Sequence, residues 1–153
     1  MISESEDILQ RRARAIAPAV AAGITEEVIH DLVHGFYAEV RDDPLIGPIF
    51  EERISDWDSH LETMCDFWSG VMLMTGRFKG APMPKHMVLP VNRLHFARWL
   101  ALFVSTARQV ATAEAAEMFS DRAHRIAESF QLGIAHYRGE APQRIGRPVG
   151  ANA

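Results

Sequence analysis

Apolar positions recur along this chain at helical spacing. In "TEEVIHDLVHGFYAEV" they are Val28, Ile29, Leu32, Val33, Phe36, Tyr37 and Val40, which fall on one face of a 3.6-residue helix. Thr25 is placed to cap its start, and Glu26 and Glu27 suit the positive end of the helix dipole. "DDPLIGP" then breaks the pattern with Pro44, Gly47 and Pro48. A second stripe runs Trp57, Leu61, Met64, Cys65, Trp68, Val71, Met72; Ser55 with Asp58 forms a weak capping pair before it, and Gly76 and Gly80 close it. A third, capped by Asn92, reads Phe96, Trp99, Leu100, Phe103, Val104, Ala107, Val110. A fourth, capped by Thr112, turns Phe119, Ala123, Ile126, Phe130, Ile134 and Tyr137 inward.

The pattern shows neither strand alternation nor an internal repeat. It predicts an all-α domain of four main helices over residues 25–139. A helical extension or arm precedes it over 1–24. A tail over 140–153, small, polar and rich in Pro and Gly, reads as disordered. One segment does not suit a plain bundle. The connection "TGRFKGAPMPKHMVLP" is longer than the roughly 2–8 residues usual between bundle helices. It carries His86 between Pro84 and Pro90, among Met83, Met87, Val88 and Leu89. Proline fixes its own φ and disfavours helix in the residue before it, so there is room here for one or two turns only.

Composition narrows the function. A chain of 153 residues with 48% hydrophobic and 24% charged residues suits one soluble domain with a real core. A net charge of −4 and a pI near 6.0 argue against general nucleic-acid binding. The single cysteine, Cys65, excludes a disulfide framework within one chain and fits a reducing, cytoplasmic compartment. No apolar run approaches the roughly 18 residues that would span a membrane, and none resembles a signal-peptide core. Arg11, Arg12 and Arg14 give a faint transit-peptide signal that Glu4, Glu6 and Asp7 oppose.

Chemistry-bearing side chains lie on the apolar faces. Tyr37, His60 and Trp99 come from three different helices, and His86 from the long connection. Singly, each reads as core filler with its polar tip satisfied. Together they can converge on one cavity, as cofactor sites in helix bundles do. Other constellations are weaker. His30 and His34 are spaced i, i+4 but lack the intervening Glu of a zinc protease, and read as a solvated face. Glu27–His30 has no partner motif for a di-iron site. Cys65 lies among apolar neighbours, as an inert thiol does. Arg122, His124, Arg125, Glu128 and His136 read as a polar helix face, and His95 stays undecided.

Four stretches in order, "GFYAEVRDDPLIGPIF", "WDSHLETMCDFWSG", "GRFKGAPMPKH" with "LP" following, and "FARWLALF", resemble the group III truncated haemoglobins. The resemblance covers roughly residues 25–138 and implies a globin-like two-over-two helical sandwich around haem b. It implies that His86 is the proximal iron ligand, that Tyr37 and Trp99 are distal hydrogen-bond donors, and that His60 lies on the distal side as a gate. Phe50 would pack against the porphyrin, and Phe67 and Trp68 would line the haem face. Met64, Met83, Phe96 and Phe103 suit an apolar haem pocket equally with plain core packing. Lys85 and Arg77 are within reach of propionates, or simply solvated.

A haem's dioxygen ligand carries partial negative charge on its outer atom, which buried donors stabilise. The expected function is therefore reversible binding of dioxygen and related diatomics such as nitric oxide, with slow release. The alternative is a haem-dependent redox enzyme, a nitric oxide dioxygenase or peroxidase-like catalyst, served by a separate reductase. The charge and hydropathy leave nucleic acid and membranes out of the expected partners.

Overall fold

Packing outweighs capping in setting this architecture. A helix cap is worth about 1 kcal/mol. Burying a Phe or Leu side chain is worth roughly 1.5–3 kcal/mol, and Leu32, Leu100, Phe103 and Phe119 are all essentially inaccessible. The computed structural model describes residues 3–80 and 89–139. Among them are six helices and no strand: α1 (Glu4–Ala21), α2 (Glu26–Asp42), α3 (Gly47–Arg53), α4 (Trp57–Leu73), α5 (Arg93–Val110) and α6 (Ala113–Arg138). His86, Met83, Lys85 and the tail over 140–153 lie outside the described residues.

Helix α2 packs against α4 and α5, and α5 against α6. The α2–α4 and α5–α6 pairs, joined through α2 and α5, make the expected two-over-two arrangement. Between them, Trp68 stacks on Phe103 at 4.9 Å and meets Phe119 edge-on at 6.0 Å. α2 comes so close to α5 at Gly35 that a Cβ there would meet Thr106 Cγ2 at 3.1 Å. The N-terminal helix α1 packs on α4 and contributes Ala19 to the core.

Local chemistry marks most boundaries. The Thr25 side chain accepts the Val28 amide at 3.1 Å, and Asn92 accepts the Leu94 and His95 amides. Thr112 accepts the Ala115 amide at 3.1 Å and donates its hydroxyl to the Ala22 carbonyl at 2.6 Å, tying α6 to the end of α1. α4 differs from expectation. Its cap is Asp56, one residue after Ser55, which accepts the Ser59 amide at 3.1 Å.

Three further differences concern where helices begin and end. α3 forms where the sequence shows only a break, because Pro48 sits in the first turn, where its missing N–H goes unneeded. α4 ends at Leu73, before Gly76, with Met74 in the left-handed region at φ 53°. Arg12 of α1 holds that end, donating Nε and Nη2 to the Leu73 carbonyl at 3.2 and 3.0 Å. Tyr137, expected inward, is 58% exposed, because the core ends one turn earlier at Ile134 and Ala135. No helix among the described residues is long and apolar enough to cross a membrane.

Candidate functional site

One buried carboxylate places the first wall of the site. Asp43 caps the end of α2, and its side chain is only 5% exposed. It accepts the amides of Leu45 and Ile46, each at 3.0 Å, and Nε of Arg98 from α5 at 2.7 Å. Burial alone would raise its pKa. The Ile46 and Leu45 amides, with Arg98, outweigh burial and hold the carboxyl below the usual range. The turn so formed seats Gly47 against the Val40 carbonyl, 2.8 Å from where a Cβ would stand. α3 leaves this point carrying Ile49, Phe50 and Arg53.

That wall faces a cavity of about 510 Å³, within the roughly 300–1,000 Å³ typical of small-molecule and cofactor sites. Among the described residues, α3 and its flanks contribute Ile46, Ile49, Phe50, Arg53 and Ile54, and α4 contributes His60. Leu89 and Val91 precede α5, which adds His95, Phe96 and Trp99. α6 closes the far side with Ile126, Ala127 and Phe130. The lining is mainly aromatic and branched aliphatic, and its polar side chains are Arg53, His60, His95 and Trp99.

Tyr37 stands behind this wall. Its ring meets Phe50 at 5.8 Å and His60 at 5.0 Å, both nearly edge-on, and both of those residues line the cavity. The side chain is buried, and burial pushes the phenol's pKa well up, so it stays protonated and able to donate. Among the described residues no hydrogen bond engages its hydroxyl, nor the indole N–H of cavity-lining Trp99. Trp99 is held by stacking on Phe103 at 5.6 Å and by the edge of Phe36 at 5.6 Å. His95 Nδ1 lies 3.0 Å from both the Asn92 amide and Asn92 Oδ1, tying the start of α5 to this side of the cavity.

These four arginines divide clearly by their ion pairs. Arg41, Arg77 and Arg98 are tied to Glu51, Glu26 and Asp43 respectively. Arg53 is exposed, lines the cavity and has no ion pair among the described residues. An apolar slot with donors inside and an uncommitted cation at its edge fits a flat, apolar ligand that carries anionic groups, which is the character of haem.

The structure thus brings together Tyr37, Phe50, His60, Phe96 and Trp99 from the sequence-derived set. Met64, Phe67, Trp68 and Phe103 sit in the helix-packing core and are not among the described lining residues. Arg77 is engaged in a polar cluster. Its guanidinium donates to Glu26 at 2.9 Å, and Glu26 accepts the Ser69 hydroxyl at 2.6 Å. Sequence reasoning did not single out Ile46, Ile49, Arg53, Ile54, Leu89 or Val91. The spacing of Ile49, Phe50 and Arg53 is a turn of helix that seven residues cannot announce. Ile126 and Phe130 were legible as inward-facing, though not as cavity lining.

No protein-family model matches the chain. Over 121 residues it is 35% identical to a group 3 truncated haemoglobin of Campylobacter jejuni, an alignment spanning 76% of this chain and 95% of that relative. Its fold matches the crystal structure of the group III truncated haemoglobin from Campylobacter jejuni with a TM-score of 0.70 at 34% identity. That match covers 74% of this chain and 94% of the other.

Proposed function

The chain belongs to the group III truncated haemoglobins, and on that premise we propose that it is a haem protein that reversibly binds dioxygen and related diatomic ligands. The observation that carries this reading is the cavity itself: apolar walls with Trp99 on the lining, and the protonated Tyr37 phenol behind Phe50 and His60. When bound, haem supplies an iron atom whose open coordination position takes the diatomic ligand. His86 would supply the neutral imidazole on the proximal side.

The chain's own residues do the rest. Phe50, Phe96, Ile126 and Phe130 line the cavity and would exclude water and hold the apolar cofactor. Trp99 can only donate a hydrogen bond, and Tyr37, kept protonated by burial, donates as well. Both favour a ligand with partial negative charge over a neutral one, and the low local dielectric strengthens each bond. Arg53 is the described cation best placed to meet an anionic propionate, since Arg77 is committed to Glu26. His60, against the Tyr37 ring and on the lining, is positioned to admit or obstruct a ligand.

The test is spectroscopic. Purified protein, or protein given haemin, should show a Soret band that His86→Ala weakens or removes. Protein that stays colourless and refuses haemin would refute the proposal.

A further inference from the structure

Two histidines on the outer face of α2 stand against each other. His30 and His34 are one helical turn apart, and their rings stack at a centroid separation of 4.0 Å with 25° between their planes. Both are exposed, and neither lines the cavity nor belongs to the helix-packing core. Exposed side chains at this spacing are free to diverge; these converge.

The pair matches what a divalent transition metal needs. Nitrogens that share a zinc ion at roughly 2.0–2.1 Å each can stand at most about 4 Å apart. The rings already have that separation, so turning them about their own bonds is enough to aim two lone pairs at one point. Imidazole ligates in its neutral form. Partial burial, then the neighbouring His30, lower the pKa of His34 and favour that form, against the opposing pull of Asp31 and Asp58.

The charge nearby has the right sign. Asp31 Oδ1 lies 3.5 Å from His30 Nδ1. A carboxylate only accepts, so it favours the ring proton on Nδ1 and leaves the lone pair on Nε2, as in the carboxylate–histidine–metal arrangement of zinc sites. Asp58, in the first turn of α4, adds a second negative charge to the field at His34. Among the described residues no group of three or more His, Cys, Asp or Glu side chains is placed to hold a metal, so water fills the remaining positions and the ion is exchangeable. We propose that His30 and His34 form a surface site for a divalent ion of the zinc or copper class, with Asp31 orienting His30. Nitrogen ligands bind these late metals in preference to manganese or iron. The site stands apart from the proposed haem function and does not depend on it.

The experiment titrates zinc chloride into the full chain by calorimetry, beside His30→Asn, His34→Asn and Asp31→Asn. All three positions are exposed, so the variants should fold, which circular dichroism checks. The wild-type chain should take up zinc at one site of highest affinity, and either histidine variant should lose that site, because a single imidazole cannot chelate. Asp31→Asn should weaken it about tenfold, the low end of what an outer partner contributes. Zinc should also raise the unfolding midpoint of the wild-type chain, and not that of either histidine variant. Zinc uptake that survives both histidine substitutions overturns the site, as does a wild-type chain that takes up none. Unchanged affinity in Asp31→Asn overturns the orienting role of Asp31.

Discussion

Replacing Asp43 by Ala should lower stability by about 3 kcal/mol, and nearly all of that loss should come from two amides rather than from the ion pair. The carboxylate accepts the Leu45 and Ile46 amides at 3.0 Å each in a buried setting, and hydrogen bonds to a charged acceptor contribute roughly 1.5–3 kcal/mol. The Arg98 side chain, by contrast, is 47% exposed, so its 2.7 Å bond is screened and contributes only about 0.5–1 kcal/mol. Arg98→Ala should therefore cost much less than Asp43→Ala. A double-mutant cycle should return a coupling no larger than the Arg98 effect. At roughly 2–4 °C per kcal/mol for a chain of this size, the Asp43→Ala midpoint should fall by roughly 10 °C.

The pH dependence has a definite sign. The carboxyl's folded pKa is depressed, so its contribution is complete above the unfolded value near 3.9 and is lost as pH falls through the folded value. Wild type should lose stability in that acid window, and Asp43→Ala should lose less there. Calorimetric or chemical unfolding of the three variants, repeated between neutral and acid pH, supplies the comparison. Equal losses from Arg98→Ala and Asp43→Ala would show that the ion pair, and not the amide turn, holds α3.

Other outcomes follow from the same geometry. Gly47→Ala should destabilise by about 1–3 kcal/mol, since its Cβ would stand 2.8 Å from the Val40 carbonyl and 3.1 Å from that of Arg41; urea unfolding reads it directly. In the haem-loaded protein, Tyr37→Phe and Trp99→Phe should each speed dioxygen dissociation about tenfold, the worth of one hydrogen bond, in stopped-flow measurements; if neither changes the rate, both donors are misassigned. On the proposed pairing of Arg53 with a propionate, Arg53→Glu should speed haemin transfer to an acceptor globin, while Arg77→Gln should leave transfer unchanged because Arg77 serves Glu26.

The amphipathic faces of α2, α4, α5 and α6, and the caps Thr25, Asn92 and Thr112, could be read along the chain because each depends on residues within four of one another. Tyr37, His60 and Trp99 were likewise identifiable as polar tips on apolar faces, and the family resemblance supplied their common object. What stood outside that reach was decided by contacts between distant segments. The start of α3 is tied to α5 by Arg98, which reaches the buried Asp43 carboxylate from some 55 residues away. α4 stops at Leu73 because Arg12 takes its carbonyl. Arg77 is drawn from the cavity's list of cations by Glu26, and Arg53 is left on it. Periodicity reports which face of a helix is greasy; it carries no information on which loop carbonyl will meet which guanidinium. That pairing is set only when packed helices fix the distances, and it is there that the shape of this cavity was decided.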